Sequence, residues 1–119
     1  MSVIEVQQDI QRCIDTIDQQ RPKLDGLSKA KAQAVAEHKK AIAVCIMKMN
    51  AGKPMELEGE AIKDPAKSIM GKLAEGFCWQ ESMNAELATD AYKNHIVKLD
   101  CTKSQLNGFQ SINRHLQER

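Results

Sequence analysis

After Pro65 no proline interrupts the chain before Arg119. Proline is the most effective helix breaker, because it lacks the amide hydrogen and its ring collides with the carbonyl four residues back. A long proline-free stretch with helical periodicity is therefore free to form one long helix. Apolar residues keep that spacing at Ile69, Leu73, Phe77, Met83, Leu87, Tyr92, Ile96, Leu99, Leu106, Phe109, Ile112 and Leu116. Gly71, Gly76 and Gly108 are weak points, each costing about 1 kcal/mol relative to alanine, and a bend is expected near Gly76. From about Phe77 to His115 the pattern predicts a single helix of roughly 60 Å.

The N-terminal stretch has the same character. Ser2-Val3-Ile4-Glu5 reads as a capping box. Val3, Val6, Ile10, Cys13 and Ile17 follow in steps of three and four, a seam on one side of a helix as in a coiled coil. Pro22 is expected to end or kink this helix near Gln20 or Arg21, with Asp25-Gly26 as a turn. Ser28 then caps a second, alanine-rich helix running to about Asn50. Its first half reads as thinly packed and its second half as core, where Val44, Cys45, Ile46 and Met49 gather. Asn50-Ala51-Gly52 with Pro54 is a helix stop. Residues 51–64 read as a loop with a short extended piece or a helical turn, and Asp64-Pro65 as cap and first turn of the third helix. These signals predict an all-α single domain over 1–119. It would be an antiparallel helical hairpin or a three-helix arrangement, with one very long C-terminal helix and coiled-coil-like packing.

The core must be aliphatic, because the only aromatic residues are Phe77, Trp79, Tyr92 and Phe109. A formal net charge of +1 does not describe a strongly basic nucleic-acid binder. The charge is segregated, with a net of +5 over residues 28–55 and −5 over 56–90. Oppositely charged helices lying side by side would account for this, as would a basic face for an acidic partner. Cys13, Cys45, Cys78 and Cys101 form no C-x-x-C pair and have no histidine at zinc-finger spacing. They read as buried free thiols in a reducing compartment. Met-Ser-Val-Ile-Glu-Val lacks the pattern of a secretory signal, and Ala41 to Met47 is too short to span a bilayer. The expected location is the cytoplasm.

Sites of chemistry are missing from the pattern. His38, His95 and His115 are not paired at helical spacing, and no H-E-x-x-H occurs. His38, beside Lys39 and Lys40, is expected at the surface, and His95 on a seam or at the surface. Gly52-Lys53 and Gly71-Lys72 do not complete a P-loop. Glu56, Glu58, Glu60 and Asp64 lack the order of an EF-hand and read as a solvated acidic loop. No catalytic residue, metal or cofactor is expected.

Two features could carry binding. The first is the basic run Lys29, Lys31, Lys39, Lys40, Lys48 and Lys53, either a solvated helix face or a surface for phosphates or an acidic partner. The second is the C-terminal stripe Leu106, Phe109, Ile112 and Leu116 with Arg114 beside it. It is either a helix end docking on its own core or a surface for self-association or partner docking.

Ala91-Tyr92-Lys93, Gln105-Leu106-Asn107, Gln110-Ser111-Ile112-x-Arg114-His115-Leu116 and the Gly52-Lys53-Pro54 loop give the chain a further likeness. From about residue 40 onward it resembles small helical proteins of bacteriophages and prophages, of the kind encoded in early regions near recombination and replication genes. The resemblance does not cover the first 27 residues and carries over no catalytic residue. It implies a phage or mobile-element origin. With the elongated helical surface, the segregated charge and the lack of a catalytic constellation, the expectation is a non-enzymatic helical interaction protein, a homodimer, that binds a host or phage protein in the host cell's cytosol. Inhibition of a host defence or DNA-processing complex is the concrete version. The alternative is a nucleic-acid-binding accessory factor in phage recombination or replication. No membrane association is expected.

Overall fold

The structure, a computed structural model, describes residues 2–118. It is all-α apart from one small hairpin: α1 (Val3–Asn50), β1 (Met55–Leu57), β2 (Glu60–Ile62), α2 (Lys67–Phe77) and α3 (Trp79–Gln117). The very long C-terminal helix is present as predicted. The unexpected element is α1, an unbroken helix of 48 residues where two helices were expected. Pro22 lies inside it, and Asp25, Gly26 and Ser28 are ordinary helical positions.

The reason is legible in the burial. After Ile17 the inward-facing residues continue at Gln20, Leu24 and Leu27, in steps of three, four and three. Pro22 itself is exposed. Ending the helix there would have thrown Leu24 and Leu27 out of register. A proline inside a helix costs about 3 kcal/mol; the half-buried Leu24 and Leu27 each return part of the roughly 1.5–3 kcal/mol of a fully buried leucine, and the seam beyond them keeps its register. Packing therefore outweighs the local signal.

Contacts divide the chain into two compact units, residues 1–28 with 90–119 and residues 29–89. The first, the helix-pair unit, consists of the first part of α1 against the last part of α3. Val6, Cys13, Ile17 and Leu99 are its buried residues. On α3 the inward positions are Tyr92, His95, Leu99, Thr102, Leu106, Phe109, Asn113 and Leu116, again alternating by three and four. The two helices run antiparallel: His95 Nε2 lies 3.0 Å from the Gln20 carbonyl oxygen, and Leu99 and Thr102 lie beside Thr16. The Ser2 hydroxyl accepts from the Glu5 amide at 3.2 Å, the Ser2 half of the predicted capping box. Outside the seam, Arg12 pairs with Asp9, and Gln11 donates to Asp15 at 2.9 Å.

The second, the hairpin-capped unit, holds the rest of α1, the β-hairpin, α2 and the start of α3. Cys45, Met49, Ala74 and Cys78 form its buried cluster, with Ile42, Ile46, Met55, Met70, Leu73 and Phe77 packed against it. The predicted stop at Gly52 is a full Schellman motif. The Lys53 amide donates to the Lys48 carbonyl at 3.1 Å, and the Gly52 amide donates to that of Met49 at 3.1 Å. Gly52 itself has φ +72.

The loop predicted over 51–64 is a hairpin, with Met55 opposite Ile62 and Leu57 opposite Glu60. Its two central residues, Glu58 and Gly59, have φ of 53 and 79, the double positive φ that two-residue type I′ turns require. Asp64 is not the helix cap. It adopts φ 43, and α2 begins at Lys67 with Ala66 as its N-cap residue and no side-chain cap. The bend expected near Gly76 falls at Cys78, which leaves helical geometry between α2 and α3 (φ −101, ψ 26).

Candidate interaction surfaces

The predicted basic residues Lys29, Lys31, Lys39, Lys40, Lys48 and Lys53 all lie in the hairpin-capped unit, but they do not gather on one face. Lys31 is half-buried on the seam side of α1, and Lys53 lies beyond its end. Lys39 and Lys40 are exposed and adjacent in sequence, so they point about 100° apart. Lys40 and Lys48 share a feature. Both line a shallow groove of about 510 Å³ between α1 and the α2–α3 junction. Glu37 and Glu81 face the same groove, so its rim carries both signs of charge. Its floor is apolar and includes Ala41, Cys45, Met55, Phe77 and Cys78.

The two floor cysteines have perturbed chemistry. Burial pushes the Cys45 thiol above the ordinary 9.0, partly offset by a hydrogen bond with Cys78 and the nearby Lys48 cation. Burial also raises Cys78, and Cys45 and Glu81 add to the effect. At neutral pH both stay protonated. Cys13 is buried in the helix-pair unit, whereas Cys101, expected inside, is exposed.

The C-terminal stripe separates by face. Leu106, Phe109 and Leu116 are half-buried on the α3 seam of the helix-pair unit, while Ile112 and Arg114 are exposed. His95 is a seam histidine, accounted for by its bond to the Gln20 carbonyl. His38 departs from expectation. It is half-buried, and its Nε2 is shielded from water without a hydrogen-bond partner. Asn113 Oδ1 is in the same state on the α3 seam. A second cavity, of about 460 Å³, is lined by Thr16, Gln20, His95, Lys98 and Cys101 among others. Among the described residues, no three His, Cys, Asp or Glu side chains converge as metal ligands. No helix among them is long and apolar enough to cross a membrane.

Periodicity alone did not place one set of residues. Met83 and Leu87 keep the helical spacing of the apolar residues of this stretch. They are exposed, together with Trp79, at 44%, 61% and 58%. The three are spaced by four and lie on the side of α3 away from the buried Ala85. The distinguishing signal was the strict alternation of three and four through Ala85, Ala88, Tyr92 and His95, which runs through small and polar side chains. Comparison with protein families, with curated proteins and with solved structures finds no match to this chain.

Proposed function

We propose that the chain is a non-enzymatic helical interaction protein that docks on another protein. The observation that carries this reading is the stripe Trp79, Met83 and Leu87, three large apolar side chains on successive turns of α3 facing water. Covering such a stripe is worth about 25 cal/mol per Å². Presenting it to a hydrophobic groove is the ordinary way a helix is recognised. Tryptophan and methionine are also enriched at protein interfaces.

The phage or prophage origin implied by the resemblance gives the reading a concrete form. The partner would be a host or phage protein, met in the host cytosol, with a defence or DNA-processing complex as the inhibited target. Homodimerisation belongs to the same proposal. The test compares the wild-type chain with Met83→Glu and Leu87→Glu in cross-linking capture from host lysate. A specific protein captured by the wild type and lost from both variants supports the reading. Capture that ignores both substitutions, or no capture at all, removes it.

The nucleic-acid accessory role is the second reading. In its favour, Lys40 and Lys48 flank one groove. Phosphate-driven binding would weaken by orders of magnitude between about 50 and 200 mM salt. It would also be lost in a chain carrying Lys39→Glu, Lys40→Glu and Lys48→Glu. Fluorescence anisotropy with labelled DNA measures both effects.

A further inference from the structure

Two of the buried cysteines are held together. Cys45 on α1 and Cys78 at the α2–α3 junction belong to one buried cluster with Met49 and Ala74. Both side chains also line one stretch of the groove between α1 and the α2–α3 junction. Neither is sealed in, because both form part of the floor of the same open groove. Thiol–disulfide exchange needs one sulfur to attack, a second within reach to displace the adduct, and a route in for the oxidant. The shared cluster brings the two cysteines to one place, and the open groove supplies the route.

We propose that Cys45 and Cys78 form a closing dithiol, which exchange with a small disulfide such as oxidised glutathione converts to a bridge between α1 and the α2–α3 junction. The Cys45 thiolate attacks one sulfur of oxidised glutathione. A Cys45–glutathione bond forms, the bond between the two glutathione sulfurs breaks, and one glutathione leaves as thiolate. Cys78 gives its proton to solvent and attacks the Cys45 sulfur, and the second glutathione leaves. Two protein thiols are oxidised by two electrons, and one glutathione disulfide is reduced to two glutathiones.

The surroundings assign the roles. The charged groups lining the groove are Glu37, Lys40 and Lys48 from α1 and Glu81 from α3; the hairpin contributes Met55 and α2 contributes Phe77. Lys48 and the hydrogen bond with Cys78 both favour the thiolate of Cys45, whereas Glu81 opposes that of Cys78. Lys48 lines the groove with Cys45 on α1 and Glu81 lines it beside Cys78, which makes Cys45 the attacking sulfur in the proposed sequence and Cys78 the resolving one. Because burial holds both thiols protonated, the exchange is slow at neutral pH and accelerates as pH rises. The bridge closes a loop containing the hairpin and α2, which restricts the unfolded chain.

The test uses the full chain with the exposed Cys101 replaced, Cys101→Ser, incubated without denaturant in oxidised glutathione and followed by intact-mass spectrometry. The expected product has lost two hydrogens and carries no glutathione. A non-reducing digest should join the Cys45 and Cys78 peptides, and Tm should rise by about 5 °C or more. Adding Cys78→Ala should leave a glutathione adduct on Cys45. A stable adduct on Cys45 with Cys78 still present would overturn the proposal. So would thiols that react only in urea, or a bridge from either cysteine to Cys13.

Discussion

The two units are built from the same pair of long helices, yet they hold themselves together differently. In the helix-pair unit, among the described residues, each helix is covered by the other along one seam. Its buried set is short, Val6, Cys13, Ile17 and Leu99, and its seam admits Gln20, His95, Thr102 and Asn113 among the apolar residues. The hairpin-capped unit adds a third layer. Met55 of the hairpin and Met70 and Leu73 of α2 close over Cys45, Met49, Ala74 and Cys78. A two-helix seam concentrates its stability in a few residues along a line. A three-layered cluster shares it among neighbours, although both units leave large apolar side chains in water, Ile4 and Val97 in the first and Met47, Trp79, Met83 and Leu87 in the second.

The strongest way to break this comparison is to cut the seam. Leu99→Ala should cost about 2–5 kcal/mol. Hydrogen exchange should show the amides of α1 before Ser28 and of α3 after Asp90 losing protection while those around Cys45 and Ala74 keep theirs. Equal loss in both regions would mean that the two unfold as one block. Pro22→Ala probes the same unit in the opposite sense. Restoring the missing amide at an exposed position should stabilise by up to about 3 kcal/mol, read as a higher urea midpoint. An unchanged midpoint would mean that the helix has already relaxed around the proline.

Smaller effects sharpen the picture of the other unit. Gly52→Ala forces a side chain into a left-handed conformation and should cost about 1–2 kcal/mol. The space is not the obstacle, since a Cβ there would stand 3.6 Å from Asp64 Oδ1. The smallest expected effect is alkaline. The folded state holds Cys45 and Cys78 protonated beyond the ordinary 9.0, so above that pH it binds more protons than the unfolded chain. Stability is then full below about pH 9 and declines as pH rises through the folded values. Denaturant midpoints at pH 8 and pH 10 should differ by less when both residues are alanine.

Much of this architecture could be read directly from residue spacing. The seam of α1, the extent of α3, the stop at Gly52 and the bend near Gly76 all follow from periodicity and from glycine and proline chemistry. The continuity of α1 did not, because Pro22 and Asp25-Gly26 are local signals and the opposing force comes from a helix about 75 residues away in sequence. The same spacing of Gln20, Leu24 and Leu27 that holds the helix together was present, but a glutamine at its head disguised it. The hairpin turn was obscure because Glu58 is an unusual residue for a positive φ, which asparagine or aspartate more often fills. Of the candidate site residues, Leu106, Phe109 and Leu116 were identifiable as a stripe. Nothing along the chain said whether that stripe faced inward or outward. The approach of Cys45 to Cys78 is a product of folding alone.

The exposed position of Trp79 has a practical corollary. The chain has one tryptophan and one tyrosine, and they fall on opposite sides of the unit boundary, Trp79 in the hairpin-capped unit and Tyr92 on the α3 seam of the helix-pair unit. Each half of the molecule thus carries its own optical label without any engineering. Excitation at the red edge, beyond tyrosine absorption, reports on Trp79 and so on the hairpin-capped unit alone, and Tyr92 is read as the difference when both rings are excited.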